Sequence, residues 1–169
     1  MTFIVCTASE DDAQALINLR HRLFRETDFM LYEPDEFIQT AEDERKRIGR
    51  LNSRPNSLVV AAMDGTEAVG ILTAIGGEVR RLRHSATLAL GVAQSHWGQG
   101  VATKMIQHAI TWSSTAGLKR LELTVHTTNL RAVGVYLRAG FEVEGVRRSS
   151  LFVGGLHVNE YLMSRISEA

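Results

Sequence analysis

Cysteine is nearly missing from this chain. Cys6 is the only one among 169 residues, so an internal disulfide is excluded and a reducing compartment fits. No acid or base partner for a thiolate stands beside it, so Cys6 reads as core filling on a strand rather than as a nucleophile. Long apolar runs are absent as well, none approaching the roughly 18 residues of a membrane span. The opening MTFIVCTASEDD lacks the basic region and apolar stretch of a signal peptide, which makes a cytoplasmic protein the expectation. The six histidines show no HxxxH or paired spacing, so no metal is expected. Neither sign of charge is in surplus. Nineteen basic residues balance nineteen acidic ones, which argues against a long nucleic-acid surface, and no membrane partner is expected either.

What is present suits one soluble domain over residues 1–169, long enough to bury roughly 70% of its unfolded surface. Its charge is unevenly placed: residues 26–44 hold eight acids (Glu26, Asp28, Glu33, Asp35, Glu36, Glu42, Asp43 and Glu44) and no lysine or arginine. Such a segment favours a cationic substrate. Part of it also reads as a helix start, with Pro34, Asp35 and Glu36 in the first turn and Arg45, Lys46, Arg47 and Arg50 complementing the dipole at the far end.

Along the chain, a strand over residues 2–7 precedes a helix capped by Ser9, with Ala15, Leu16, Leu19 and Leu23 on its apolar side. A second helix starts near Pro34, and the loop between them carries Phe29, Met30, Leu31 and Tyr32, more apolar than an idle connection requires. Strands at 57–63 and 68–75 form a hairpin about Asp64 and Gly65. A strand at 88–92, with a bulge or close backbone approach expected at Gly91, leads through glycines into a helix ending near Thr115. A strand at 118–125, a helix at 130–139 and strands at 141–147 and 151–166 complete the order β-α-α-β-β-β-α-β-α-β-β.

The richest stretch is LALGVAQSHWGQGVATKM, residues 88–105. A strand feeds a turn in which Gly98 and Gly100 open a helix, and the free N–H groups of a helix start can receive a pyrophosphate where no side chain blocks them. The same glycines also suit plain turn chemistry. A dinucleotide fingerprint would need a third glycine where Thr103 stands, although Glu122 lies at the distance of a ribose-binding acid. Three consecutive strands before this helix disfavour the regular βαβ alternation of such a fold.

Two motif regions resemble the GNAT acyltransferase superfamily. Its acyl-CoA signature, Q/R-x-x-G-x-G/A, falls on Ser95, His96, Trp97, Gly98, Gln99 and Gly100, with Ser95 in place of the usual Gln or Arg. Its N-x-x-A-x-x-x-Y-x-x-x-G-F segment falls on Asn129, Ala132, Tyr136, Gly140 and Phe141. The resemblance implies an α/β (α+β) fold with a mixed, mostly antiparallel sheet flanked by about four helices. It also implies acetyl transfer from acetyl-CoA to an amine, and a homodimer is common in proteins of this kind. The alternatives are a catalytically silent acyl-CoA-binding module or a nicotinamide dinucleotide-binding protein.

By that resemblance the pyrophosphate sits on backbone amides of Gly98, Gln99, Gly100, Val101, Ala102 and Thr103, and the pantetheine arm pairs with the edge at Val92 and Ala93. A backbone N–H near Val92 polarises the thioester carbonyl. Tyr136 is the acid for the departing thiolate, and Asn129 and Ala132 lie at cofactor-contacting positions. The base is open between Glu122 and His126, which share a strand face with Thr124. Arg80, Arg81, Arg83 and Arg131 are candidates for the phosphates, Trp97 covers the cofactor or anchors the turn, and Met30, Tyr32 and Glu33 are the expected acceptor contacts, joined by the turn around 154–157.

Overall fold

Alternation along one strand fixes the layering. In β2 (Leu58–Asp64), Val59 and Ala61 turn to one face and Leu58, Val60 and Ala62 to the other, and all five are buried. A strand covered on both faces lies between two layers. The computed structural model, which describes residues 3–167, shows those layers. On one face pack α1 (Ala13–Glu26), through Leu16, Leu19 and Leu23, and α2 (Ala41–Asn52), through Ile48 and Leu51. On the other, α3 (Val101–Thr115) brings Met105, Ile106 and Ala109, and α4 (Leu130–Arg138) brings Tyr136.

The sheet adds β1 (Ile4–Thr7), β3 (Glu67–Gly76), β4 (Ser85–Val92), β5 (Arg120–His126), β6 (Glu142–Val153) and β7 (Leu156–Ile166), in the order β1-β2-β3-β4-β5-β7-β6. The expected element order is found. Every neighbouring pair is antiparallel except β4 and β5, which overturns the dinucleotide alternative, since that fold is built on a parallel sheet. The one parallel pairing is short. Only Ser85, Ala86 and Thr87 pair, with Arg120, Leu121 and Glu122, and beyond them β4 and β5 part.

Several expectations need correction. The helix placed at Pro34 begins at Ala41, because Thr40 and Asp43 make a reciprocal cap: Asp43 N–H donates to Thr40 Oγ1 (3.2 Å), and Thr40 N–H to the Asp43 carboxylate (2.8 Å). No bulge occurs at Gly91, where the β3–β4 register runs unbroken; the irregularity lies between Ala62 and Met63. Gly91 instead permits a close approach, since a Cβ there would lie 2.5 Å from Leu23 Cδ1 of α1. The last hairpin turns at Gly154 and Gly155, as expected, but the gap expected between strands at 148–150 is a register shift within β6, with Ser149 at φ +49°. Cys6 is half-buried on the edge strand rather than in the core, and burial, followed by the charge of Asp12, raises its pKa. Thr2, in the first expected strand, lies outside the described residues.

Candidate active site

The parting of β4 from β5 opens backbone that a sheet normally closes. Ala93 N–H donates to Val69 C=O of β3 (2.9 Å), so by strand alternation the N–H of Val92 faces away from β3, toward the gap. The divergence of the strands exposes this group, not the bulge expected at Gly91. The Val92 carbonyl accepts the Trp97 indole N–H (2.7 Å), and the Arg131 guanidinium lies 4.3 Å from the Trp97 ring centroid. Trp97 therefore anchors the turn.

Gly98 and Gly100 have φ of +76° and +82°, and nothing lies within 4 Å of where a Cβ would stand on either. It is the left-handed backbone, not crowding, that calls for glycine. Lys104 N–H donates to Gly100 C=O (3.0 Å), which leaves the amides of Val101, Ala102 and Thr103 as the free donors of the first turn of α3. Gln99 closes the turn by donating its side-chain amide to Ser95 C=O (2.9 Å). Asn129 accepts the Ala132 N–H through its side chain (3.2 Å) and so caps α4.

Tyr136 is buried on α4 against Phe141, with ring centroids 5.8 Å apart. Burial pushes the phenol above its ordinary value, so it holds its proton throughout the neutral range. The two candidate bases are separated by the fold. Glu122 lies where β4 and β5 still pair, opposite Thr87, and accepts from Arg120 Nε (2.7 Å); Val92 is five residues, about 17 Å, farther along β4. It does not join the opening. Arg80, Arg81 and Arg83 are exposed in the loop before Ser85, at the far end of β4 from the glycine turn, and so do not reach it.

His126 stands at the open end of β5, 5% exposed. Its Nε2 is the one buried side-chain polar atom among the described residues without a hydrogen-bond partner. The Phe29 ring meets it edge-on at 5.4 Å, and Met30 Cε lies 3.4 Å from the position a Gly91 Cβ would take. Phe29 and Met30 therefore bridge the mouth of the gap, from β5 to β4. Tyr32 packs instead with Phe24 and Phe37 (5.6 and 5.8 Å), which stiffens the loop, and Glu33 is exposed with its N–H on the Glu36 carboxylate (3.0 Å). The loop over residues 28–33 is the expected acceptor region, with Met30, Tyr32 and Glu33 as its named contacts; Phe29, within it but not named, is the ring that meets His126. Its signal was an apolar run inside an acidic segment.

Most of that acidity has a structural use. Glu26 bonds Arg22, Glu42 pairs with Arg45 and Lys46, Asp43 caps α2, and buried Glu44 holds Arg20 (2.9 Å) and Arg47 (3.0 Å). Asp28, Glu33 and Asp35 carry no ion pair among the described residues. No local pattern announces Glu160, buried on β7 opposite His126 and paired with Arg147 (3.2 Å).

Residues 14–141 match the acetyltransferase (GNAT) family. The chain is 33% identical over 119 residues to the L-amino acid N-acetyltransferase AaaT of Escherichia coli, covering 69% of this chain and 73% of that one. Its structure superposes on an acetyltransferase of the GNAT family from Streptococcus pneumoniae with a TM-score of 0.94 at 27% identity, over 99% of this chain and 100% of the other. A GNAT superfamily phosphinothricin acetyltransferase from Sinorhizobium meliloti, solved in complex with acetyl-CoA, shares the fold with a TM-score of 0.85 at 15% identity, over 98% and 89% of the two chains.

Proposed function

The chain belongs to the acetyltransferase (GNAT) family and is an acetyl-CoA-dependent N-acetyltransferase, and from that premise we propose a single domain over residues 1–169 that transfers acetyl directly to a primary amine in a ternary complex. The observation that carries the reading is the gap between β4 and β5 beside the glycine turn, which presents the Val92 N–H and the amides of Val101, Ala102 and Thr103 together. Those amides hold the pyrophosphate, and the pantetheine arm runs along the β4 edge at Val92; Ala93, expected to share that pairing, is spent within the fold, its N–H on Val69 C=O and its C=O accepting the His96 N–H (2.9 Å each). Val92 N–H stabilises the charge that develops on the carbonyl oxygen.

His126 Nε2 takes the proton from the attacking amine, directly or through a water, as the C–N bond forms. Tyr136 gives its proton to the sulfur as the C–S bond breaks, and the products are an amide and free CoA thiol. Phe29 and Met30, over the mouth, select the acceptor. Asp28, Glu33 and Asp35 nearby suit a cationic amine, small or at a protein terminus. A cytoplasmic setting and a homodimer belong to the same reading. The single, half-buried cysteine favours the first, and the long edge strand β6, with Val143, Val146 and Phe152 exposed, favours the second.

The test is thermal unfolding with acetyl-CoA, followed by an amine screen that detects released thiol. Coenzyme at 100 times its dissociation constant adds about 2.7 kcal/mol, or roughly 5–10 °C for a chain of this size. A rise with acetyl-CoA but no thiol release with any amine in the screen would favour a silent binding module.

A further inference from the structure

The first position of the coenzyme signature carries a short side chain here, Ser95, and the structure surrounds it with others. Arg22, on α1, donates through Nη2 to Ser95 Oγ (2.9 Å), through Nη1 to Glu67 (2.7 Å) and through Nε to Glu26. The other Glu26 oxygen accepts the N–H of Gln94 (2.8 Å). Thus α1 grips both residues that begin the turn, one by its backbone and one by its side chain. On the opposite side Ser95 Oγ hydrogen-bonds His96 Nδ1 (2.9 Å), and the buried His96 faces Asp64 through Nε2 (3.4 Å).

We infer that Arg22 and Glu26 are positioning residues for the coenzyme, holding residues 94 and 95 from α1 so that the turn presents its amides to the pyrophosphate. A longer side chain at Ser95 would reach the ligand itself; here the guanidinium shapes the turn through Ser95. Its charge is matched by Glu26 and Glu67, so it acts by geometry rather than by attracting phosphate. Glu26 is also the last residue of α1, just before the segment that carries Phe29 and Met30. The donor turn and the acceptor loop are therefore tied at one side chain.

The inference rests on the acetyl-CoA reading, and its test separates the two. Binding of CoA is measured by calorimetry, and binding of pantetheine, which lacks the pyrophosphate, by ligand-observed NMR. Arg22→Ala is expected to weaken CoA about tenfold or more, the scale of a lost charge-assisted hydrogen-bond pair, and to leave pantetheine unchanged. Ser95→Ala, which removes only the acceptor of one bond and keeps the ion pairs, follows with a smaller loss of the same kind. Adding Ser95→Gln to Arg22→Ala restores CoA affinity, because the long side chain no longer needs the clamp. Equal loss with CoA and pantetheine, or no loss with either in both single variants, overturns the inference. A wild-type chain that binds no CoA overturns the donor reading and the inference with it.

Discussion

In the proposed site the donor side is made of backbone and the acceptor side of side chains. Around the glycine turn the working groups are the amides of Val92, Val101, Ala102 and Thr103, set by strand divergence and by two residues at positive φ. On the proposed acceptor side they are the rings of Phe29 and His126, brought from a loop and a strand end, with Tyr136, the proposed acid, buried on α4 against the other face of the sheet. A backbone site constrains few side chains, so one coenzyme can be kept while the sequence drifts. A side-chain site is re-specified by single substitutions, so acceptors can change without disturbing the donor. The division is testable, because a variant on one side should leave the other side's binding intact.

The largest effect belongs to chemistry. Tyr136→Phe removes one oxygen from a buried ring, and loss of a general acid costs about 10²–10⁴-fold in turnover. Steady-state kcat should fall on that scale while calorimetric CoA affinity stays put; loss of CoA binding would make Tyr136 part of the donor side and break the division. Next comes Gly100→Val. A β-branched residue at φ +82° is strained whatever the space around it, at a cost of about 1–2 kcal/mol or more. The turn relaxes by abandoning that conformation, so CoA binding should weaken about tenfold or more while kcat at saturating coenzyme is retained. Unchanged affinity would show that the left-handed turn is not what presents the amides.

A smaller, one-sided change is expected from Phe29→Ala. It uncovers His126 and widens the mouth, so KM for the acceptor should move about fivefold, and the ranking of amines in a thiol-release screen should shift, with KM for acetyl-CoA constant. The same contrast explains what the sequence revealed. The donor side is contiguous, and its strand, glycines and amphipathic helix are readable in residues 88–105 because each acts through local backbone preference. Phe29 against His126 is a meeting of distant segments: the apolar run marks the loop, but no local pattern names the ring it meets. The same holds for Arg22 reaching Ser95. The α2 boundary was misread because Pro34, Asp35 and Glu36 offer a plausible start, whereas the reciprocal cap of Thr40 and Asp43 decides the matter. Glu122 and His126 share a strand face, and only the point at which β4 leaves β5 tells them apart.

The smallest expected effect is an absence. A tyrosine phenol ionises near pH 10 in an unfolded chain, and burial raises Tyr136 above that. Turnover that needs the protonated phenol should therefore show no fall between about pH 8 and pH 10 at saturating substrates, since the acid keeps its proton across that window. Stability has the same sign. The contribution of the buried neutral phenol is complete below about pH 10 and is lost only as pH climbs through the raised value, because the unfolded chain gives up that proton first. Chemical denaturation at stepped alkaline pH should show a decline for the wild type that Tyr136→Phe lacks. A fall in kcat centred below about pH 9, present in the wild type and missing from Tyr136→Phe, would mean that the phenol ionises early, in a site open to water or facing a cation once substrates are bound. The acceptor side would then be remade by its ligands, and the rigid division between the two sides would not survive substrate binding.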